Sequence, residues 1–235
     1  MEKQVLSIVI PVFNEELWVE KSIRAVFNVE LPSIDSKEVI VVDDFSIDGT
    51  RTILKRLKEE LPFRLIELEK NSGKGHALRR GIQESTGTYI VFQDADLEYD
   101  PNDFNKMLVP LQSGKADAVY GTRFVGSEMR RLLFYWHEVG NRFLTFLTNM
   151  VTNLNFTDME TCYKMFVTKK LKELRLNSNR FTIEPEITIK AAKQNLKFYE
   201  VAISYNGRTY AQGKKINWRD GISALFAIVR YSLFG

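Results

Sequence analysis

YIVFQDADLEYDP, residues Tyr89 to Pro101, decides the fold of this chain. Tyr89–Phe92 are apolar β-formers, and they break at once into three acids spaced by two, Asp94, Asp96 and Glu98. A run of this kind is a buried strand ending at a polar sheet edge. Carboxylates crowded at one strand end repel each other unless a proton or a cation sits between them. The expectation is a divalent metal at that edge, holding a phosphorylated donor, with the rest of the chain built to present it.

The same alternation recurs on both sides. LSIVIPVFN (Leu6–Asn14) is a buried strand stopped by Pro11 and a polar turn. A helix follows from about Glu15, with Trp18, Val19, Ile23, Val26 and Phe27 at helical spacing. Glu38–Asp43 is a second buried strand; Asp48 or Thr50 caps the next helix, whose inner face is Ile53, Leu54, Leu57 and Leu61. Arg64–Leu68 is a short third strand, and NSGKG opens a helix over His76–Glu84. Beyond the opening stretch, a helix from Pro101 to about Leu111 and a strand at Ala116–Gly121 complete the pattern. Strands alternating with helices define an α/β fold, a mainly parallel sheet with helices on both faces. Ligands of such sheets bind outside the carboxyl ends of the strands. Phe13-Asn14-Glu15, Asp43-Asp44 and Asp94–Glu98 all fall at those ends.

The second half has a different texture. Arg130–Phe156 is rich in leucine and aromatics and reads as one or two amphipathic helices with a large apolar surface. TDMETCYKMFVTKK reads as a strand and helix, NRFTIEPEITIKAAK as a loop and helix, and Lys197–Arg208 as one more strand. A basic loop, RTYAQGKKINW, leads to a C-terminal helix at Trp218–Phe234. With no repeat or linker, one domain is the simplest division.

The 235 residues suffice for one sizeable core. A net charge of +3 is too weak to argue for nucleic acid. The single cysteine, Cys162, excludes a disulfide framework within the chain and suits a reducing compartment. No uninterrupted apolar stretch reaches the ~18 residues that span a bilayer. The expected location is cytoplasmic, soluble or peripheral on the inner face of a membrane. The C-terminal helix, with Ile222, Leu225, Phe226, Val229 and Leu233, either packs on the domain or lies on that surface with Arg219 and Arg230 toward headgroups.

A bare DxD is more often a solvated turn than a metal site. Here the buried strand before it, the third acid and the company of Asp43 and Asp44 favour a site. Hard oxygen ligands suit Mg2+ or Mn2+, and the scarcity of His and Cys argues against zinc. Gly73–Leu78 lacks the third glycine of a dinucleotide loop, yet a helix start there can offer N–H groups and Lys74 to a phosphate. The two histidines, His76 and His137, lack a Ser/Asp arrangement for a hydrolase triad. Cys162 reads as packing. Arg123, Arg131, Arg208, Lys214 and Lys215 stand in or beside loops, and as a group they suit further phosphate oxygens.

VIPVFNEE, VVDDFSIDGT, NSGKGHALRRG, QDADLEYDP and GTRF, in this order and spacing, resemble a family 2 glycosyltransferase of GT-A fold. TDMETCYKMF, SYNGRTYAQGKKI and WRDG resemble its polyprenyl-phosphate branch, typified by dolichol-phosphate mannosyltransferase. The resemblance spans essentially the whole chain. It implies a nucleotide-sugar half (1–122) and an acceptor half (123–235) in one GT-A domain. Pro11, Phe13 and Glu15 would line the nucleoside pocket, with Asp44, helped by Asp43, on the base. Asp94, Asp96 and Glu98 would hold Mg2+ or Mn2+ on the donor diphosphate, although relatives often carry Gln at the third position. Lys74, Arg208 and Lys214 would meet donor phosphates, and Arg123 and Arg131 the phosphate of a lipid acceptor. His137 stands about where relatives carry a Ser beside that phosphate. Asp96 and Asp158 would be the catalytic acids, Asp158 serving as base if the acceptor is a hydroxyl. The implied reaction moves a sugar from GDP-mannose or a UDP-hexose to a polyprenyl phosphate with inversion. A saccharide acceptor, or a non-catalytic nucleotide-binding scaffold, are the competing readings.

Overall fold

Tyr89–Phe92 is a strand with every residue buried, as an apolar run without polar alternation requires. It belongs to a computed structural model that describes residues 3–126, 131, 132, 134–213 and 218–234. Among these residues, seven strands form one sheet: β1 (Val5–Val12), β2 (Ser36–Asp43), β3 (Arg64–Glu67), β4 (Tyr89–Phe92), β5 (Ala118–Thr122), β6 (Lys164–Val167) and β7 (Phe198–Ala202). The helices are α1 (Val19–Asn28), α2 (Thr50–Glu60), α3 (Lys74–Glu84), α4 (Phe104–Gln112), α5 (Tyr135–Thr152), α6 (Thr168–Lys172), α7 (Ile183–Lys193) and α8 (Trp218–Phe234). The helix expected from Pro101 begins as a 3-10 turn, Pro101–Asp103, because the Asp100 side chain accepts the Asn102 N–H and holds the entry open.

The strand order is β3-β2-β1-β4-β6-β5-β7. β1 runs parallel to β2 and β4, β2 to β3, and β5 to β7. β6 alone is reversed, antiparallel to both β4 and β5. Its connection from β5 therefore starts and ends at one edge of the sheet, with Tyr120 paired to Lys164. That edge is also where the other strands present their carboxyl ends. The turn entering β6, residues 158–163, arrives there too, which strand–helix alternation alone does not reveal.

β2 shows how the core is layered. Val39 and Val41 join the main hydrophobic cluster with β1, β4 and α1, whereas Ile40 and Val42 pack with Ala77 of α3 on the opposite face. Burial on both faces is why EVIVV lacks polar alternation. In the second half, Leu144 of α5, Met159, Ile189 of α7, and Ala224, Ala227, Ile228 and Tyr231 of α8 form a separate cluster. α8 thus packs on the domain through one face. Ile222, Phe226, Val229 and Leu233, on its other face, stay exposed. The packing reading of this helix therefore holds for its inner side. Among the described residues no helix is long and apolar enough to cross a membrane.

Candidate active site

Three strands end in turns that force a non-glycine residue into left-handed backbone: Asn14 (φ 50) after β1, Phe45 (φ 63) after β2 and Leu97 (φ 60) after β4. Such conformations are strained for residues with a Cβ and persist where surrounding contacts over-determine them. Here the turns are laced together. Asn14 N–H donates to Ser46 Oγ, Ile47 N–H donates to Asn14 Oδ1, and Glu15 N–H donates to Thr50 Oγ1. Glu98 N–H closes the third turn on Asp96 Oδ1 at 3.1 Å.

The acids of the opening stretch converge on two cations. Lys74 Nζ lies 2.9 Å from Asp94. Arg208 lies 2.9 Å from Asp96, 3.0 Å from Glu15 and 3.5 Å from Glu98. Among the described residues, four carboxylates at this edge thus share two cations. The consequence is visible in their acidity. Burial, and then the negative charges of Asp94 and Glu98, push the Asp96 carboxyl up to about 7. Burial would also raise Asp94, but Lys74 beside it holds it below the ordinary carboxylate value.

Asp94, Asp96 and Glu98 are not arranged as a three-carboxylate cage: among the described residues no group of three His, Cys, Asp or Glu side chains converges tightly enough to hold a metal ion. Arg208 is the reason, since its guanidinium lies against Asp96 and Glu98. Glu98 is moreover committed to the loop after β7. It accepts from Tyr205 Oη at 2.7 Å and from the Arg208 N–H at 2.8 Å, and its carbonyl accepts the Asn206 N–H.

Lys74, at the start of α3, also reaches Glu184 at 3.5 Å, and Glu184 pairs with the fully buried Lys164. An alternating chain, Asp94–Lys74–Glu184–Lys164, therefore runs from the site into the core. Three N–H groups around this helix start have partners: Ser72 and Gly73 donate to Asp44, and His76 donates to the Asn179 carbonyl. The glycines serve close packing. A Cβ on Gly75 would stand 2.7 Å from the Ser178 carbonyl oxygen, and Gly73 (φ +96) meets Asn179 in the same way. Asp44, matched to the base, thus receives two backbone N–H groups while lining the cavity beside Pro11, Phe13 and Glu15. Asp43 lies beneath it, fully buried, accepting from Ser46 N–H and Arg51.

A different pair stands beside Tyr205, whose hydroxyl donates to Glu98. Arg123 makes a two-pronged contact with Asp158, Nε–Oδ2 at 2.6 Å and Nη2–Oδ1 at 2.7 Å, and its backbone N–H donates to Oδ2 at 3.1 Å. Asn141 Nδ2 adds a bond at 2.9 Å. Asp158 is wholly buried, and Arg123 overcomes the burial penalty to keep its carboxyl below the ordinary value. Both oxygens are engaged, so Asp158 is arranged to hold Arg123 in position. Arg131 is exposed and donates to the Gly207 carbonyl and Gln212. His137 is half-buried against the Phe134 ring. Lys214 and Lys215 lie outside the described residues.

One cavity of about 1260 Å³ is lined by Glu15, Asp44, Lys74, Asp94, Asp96, Arg123, Arg131 and His137. Glu160, Cys162 and Glu184 line it as well, and sequence reasoning gave none of them a place there. For Glu184 a signal existed: with Glu186 it is one of two acids inside an otherwise apolar helix, TIEPEITI, and both are buried. Glu160 and Cys162 carry no such mark, because the reversal of β6 is what brings them in. Past Arg131 and His137, the cavity reaches an apolar border. Leu132, Tyr135, Trp136, Phe143, Phe146 and Met150 are exposed along α5 and the segment entering it, and α5 packs against α8.

A mainly parallel seven-stranded sheet with one reversed strand and an acid-rich site at its carboxyl edge is the GT-A architecture of glycosyltransferases. Residues 7–175 match the sequence model of Glycosyl transferase family 2, and the chain belongs to that family. It is an enzyme, a glycosyltransferase. It is 25% identical over 226 residues to dodecaprenyl-phosphate galacturonate synthase of Rhizobium johnstonii, covering 95% of this chain and 64% of that protein. It is 27% identical over 236 residues to dolichyl-phosphate beta-glucosyltransferase of Dictyostelium discoideum, covering 90% and 68%. Its fold matches glucosyl-3-phosphoglycerate synthase of Mycobacterium tuberculosis, solved with Mn2+, uridine diphosphate and glucosyl-3-phosphoglycerate, at a TM-score of 0.74 and 17% identity over 99% of this chain and 81% of that one.

Proposed function

We propose that the enzyme transfers a sugar, with inversion, from a nucleoside-diphosphate sugar to a polyprenyl phosphate. The observation that carries this reading is the cavity itself, lined by both the acid cluster and the fixed Arg123, with exposed apolar side chains at its border. Lipid-linked acceptors named for the relatives from Rhizobium johnstonii and Dictyostelium discoideum point the same way.

The acid cluster fits a hard divalent cation, Mg2+ or Mn2+. Its donors are carboxylate oxygens in excess of the cations around them, and Asp96 is the under-neutralised member. Asp94 and Asp96 would hold the ion, with Glu98 kept on the Tyr205–Arg208 loop. When bound, it supplies neutralising charge for the leaving nucleoside diphosphate. Arg208, released from Asp96, reaches the same phosphates. Arg123, clamped by an Asp158 that Asn141 in turn holds, presents the outer edge of its guanidinium to the acceptor phosphate. A phosphate monoester is ionised at neutral pH, so positioning suffices and no base is required. That agrees with an Asp158 whose oxygens are both engaged. The apolar faces of α5 and α8 would rest on the membrane that carries the acceptor.

The test is transfer from GDP- and UDP-sugars to a radiolabelled polyprenyl phosphate in detergent, with Mn2+ or with a chelator. A metal-dependent, organic-extractable product is expected. Transfer to soluble saccharides alone would overturn the acceptor assignment.

A further inference from the structure

Glu160 stands in the turn that the reversed β6 delivers to the site, and it lines the main cavity. Its Oε1 is buried without a hydrogen-bond partner among the described residues. Buried carboxylate oxygens are costly to leave unpaired, so such an atom on a residue that lines a cavity marks a place for a donor from a ligand. The chain neighbours of Glu160 define where it is. Two residues before it, Asp158 is bound to Arg123, the acceptor-side pair. Two residues after it, the Cys162 sulfur lies 3.4 Å from Lys74 Nζ, which pairs with Asp94. Along the chain, Glu160 thus stands between the residue that holds the group offered to the acceptor phosphate and the residue that touches the group fixed at the donor diphosphate. In a displacement between those two phosphates, the space between them belongs to the transferred sugar.

We propose that Glu160 accepts a hydrogen bond from a hydroxyl of the transferred sugar and selects a neutral hexose over a hexuronic acid. The assignment rests on the glycosyl-transfer reading above. Two observations support it besides the open oxygen. Glu184, paired with two lysines, is an acid that already acts on Glu160. A sugar carboxylate would add a further negative charge to this wall, and like charges in a buried site disfavour each other. A hydroxyl donor brings no charge. Burial, then Glu184, push the Glu160 carboxyl up to about 7, so near neutrality it is available both as acceptor and, when protonated, as donor to a sugar oxygen.

The experiment separates sugar recognition from nucleotide recognition. Affinity for UDP-glucose, GDP-mannose, UDP-glucuronate, and for UDP and GDP without sugar, is measured by calorimetry on wild type, Glu160→Gln and Glu160→Ala, without acceptor. For the preferred nucleotide sugar, Glu160→Ala is expected to weaken binding about 10-fold or more, the scale on which a site built for a hydroxyl discriminates. The matching free nucleotide should bind unchanged. Glu160→Gln, which retains an acceptor oxygen, should keep the neutral sugar and narrow the discrimination against the uronate. Equal weakening for nucleotide and nucleotide sugar in Glu160→Ala, or equal affinity in all three proteins, would overturn the proposal. Should Glu160→Ala fail to fold, Glu160→Gln decides it: an unchanged preference over the uronate sinks the assignment. Because no acceptor is present, absence of transfer to a polyprenyl phosphate would sink the acceptor reading without touching this one.

Discussion

Two charged centres meet at the cavity, and they are built on opposite principles. The Arg123–Asp158 pair is closed: one acid, one base, a two-pronged contact, and Asn141 on the remaining lone pairs. The cluster after β4 is open: Asp94, Asp96, Glu98 and Glu15 share Lys74 and Arg208. A balanced pair in low dielectric is rigid and offers only the outer edge of its guanidinium. An unbalanced cluster retains affinity for another cation, and its cost appears as the raised Asp96 carboxyl. On the proposed function, one centre orients, and the other binds and releases.

The contrast is broken most severely at Asp96. Asp96→Asn removes an oxygen proposed to hold the metal, and transfer should fall by about 10²-fold or more, the scale set by losing one preorganised charge-stabilising group. Because the variant also relieves repulsion, its thermal unfolding temperature should hold or rise. Undiminished turnover of the donor would refute the assignment. Asp158→Ala tests the closed centre, where the order of effects reverses. It strands a buried Arg123, and removing one partner of a buried ion pair costs about 3–5 kcal/mol. Urea unfolding should show that loss; a variant as stable as wild type would mean the pair is not closed.

A smaller effect is expected where the open centre rests on its packing. Gly75→Ala would drive a Cβ to within 2.9 Å of backbone atoms of Ser178, Asn179 and Arg180. Overpacking of that kind costs about 1–3 kcal/mol, and it should shift the start of α3 and weaken the hold of Lys74 on Asp94. Chemical denaturation together with donor affinity reads both consequences. Smallest is the pH signature of Glu160. Its folded value, about 7, lies above the ordinary 4.5, so its contribution to stability is complete below that ordinary value and is lost as pH rises through about 7. Relative to wild type, Glu160→Gln should therefore gain in unfolding temperature between acidic pH and pH 8. A constant offset across that range would show that Glu160 does not titrate there.

Much of the open centre was legible in the chain. An apolar run breaking into acids at Asp94, and the same signature at Asp43 and at Phe13–Glu15, placed three strand ends on one edge. The closed centre was harder to read. Arg123 and Asp158 are far apart in sequence, and nothing local marks them as partners; Arg123 stood out as one of several loop cations, and only the resemblance brought Asp158 forward. It offered Asp158 as a base, whereas the fold engages both of its oxygens with Arg123 and Asn141. Glu98 shows the converse. Its spacing groups it with Asp94 and Asp96, yet the loop after β7 draws its carboxylate to Tyr205 and Arg208.

The sequence by itself determined the alternation of strand and helix, the carboxyl-edge location of the site and the oxygen-rich chemistry after β4, because periodicity and abrupt polarity changes are local signals. Only the tertiary structure decided which cations answer which acids and that β6 is reversed. That reversal carries Asp158, Glu160 and Cys162 to the same edge as Tyr89–Phe92, since an antiparallel strand enters where its parallel neighbours leave. Strand direction is set by long-range pairing, and no short window of residues encodes it.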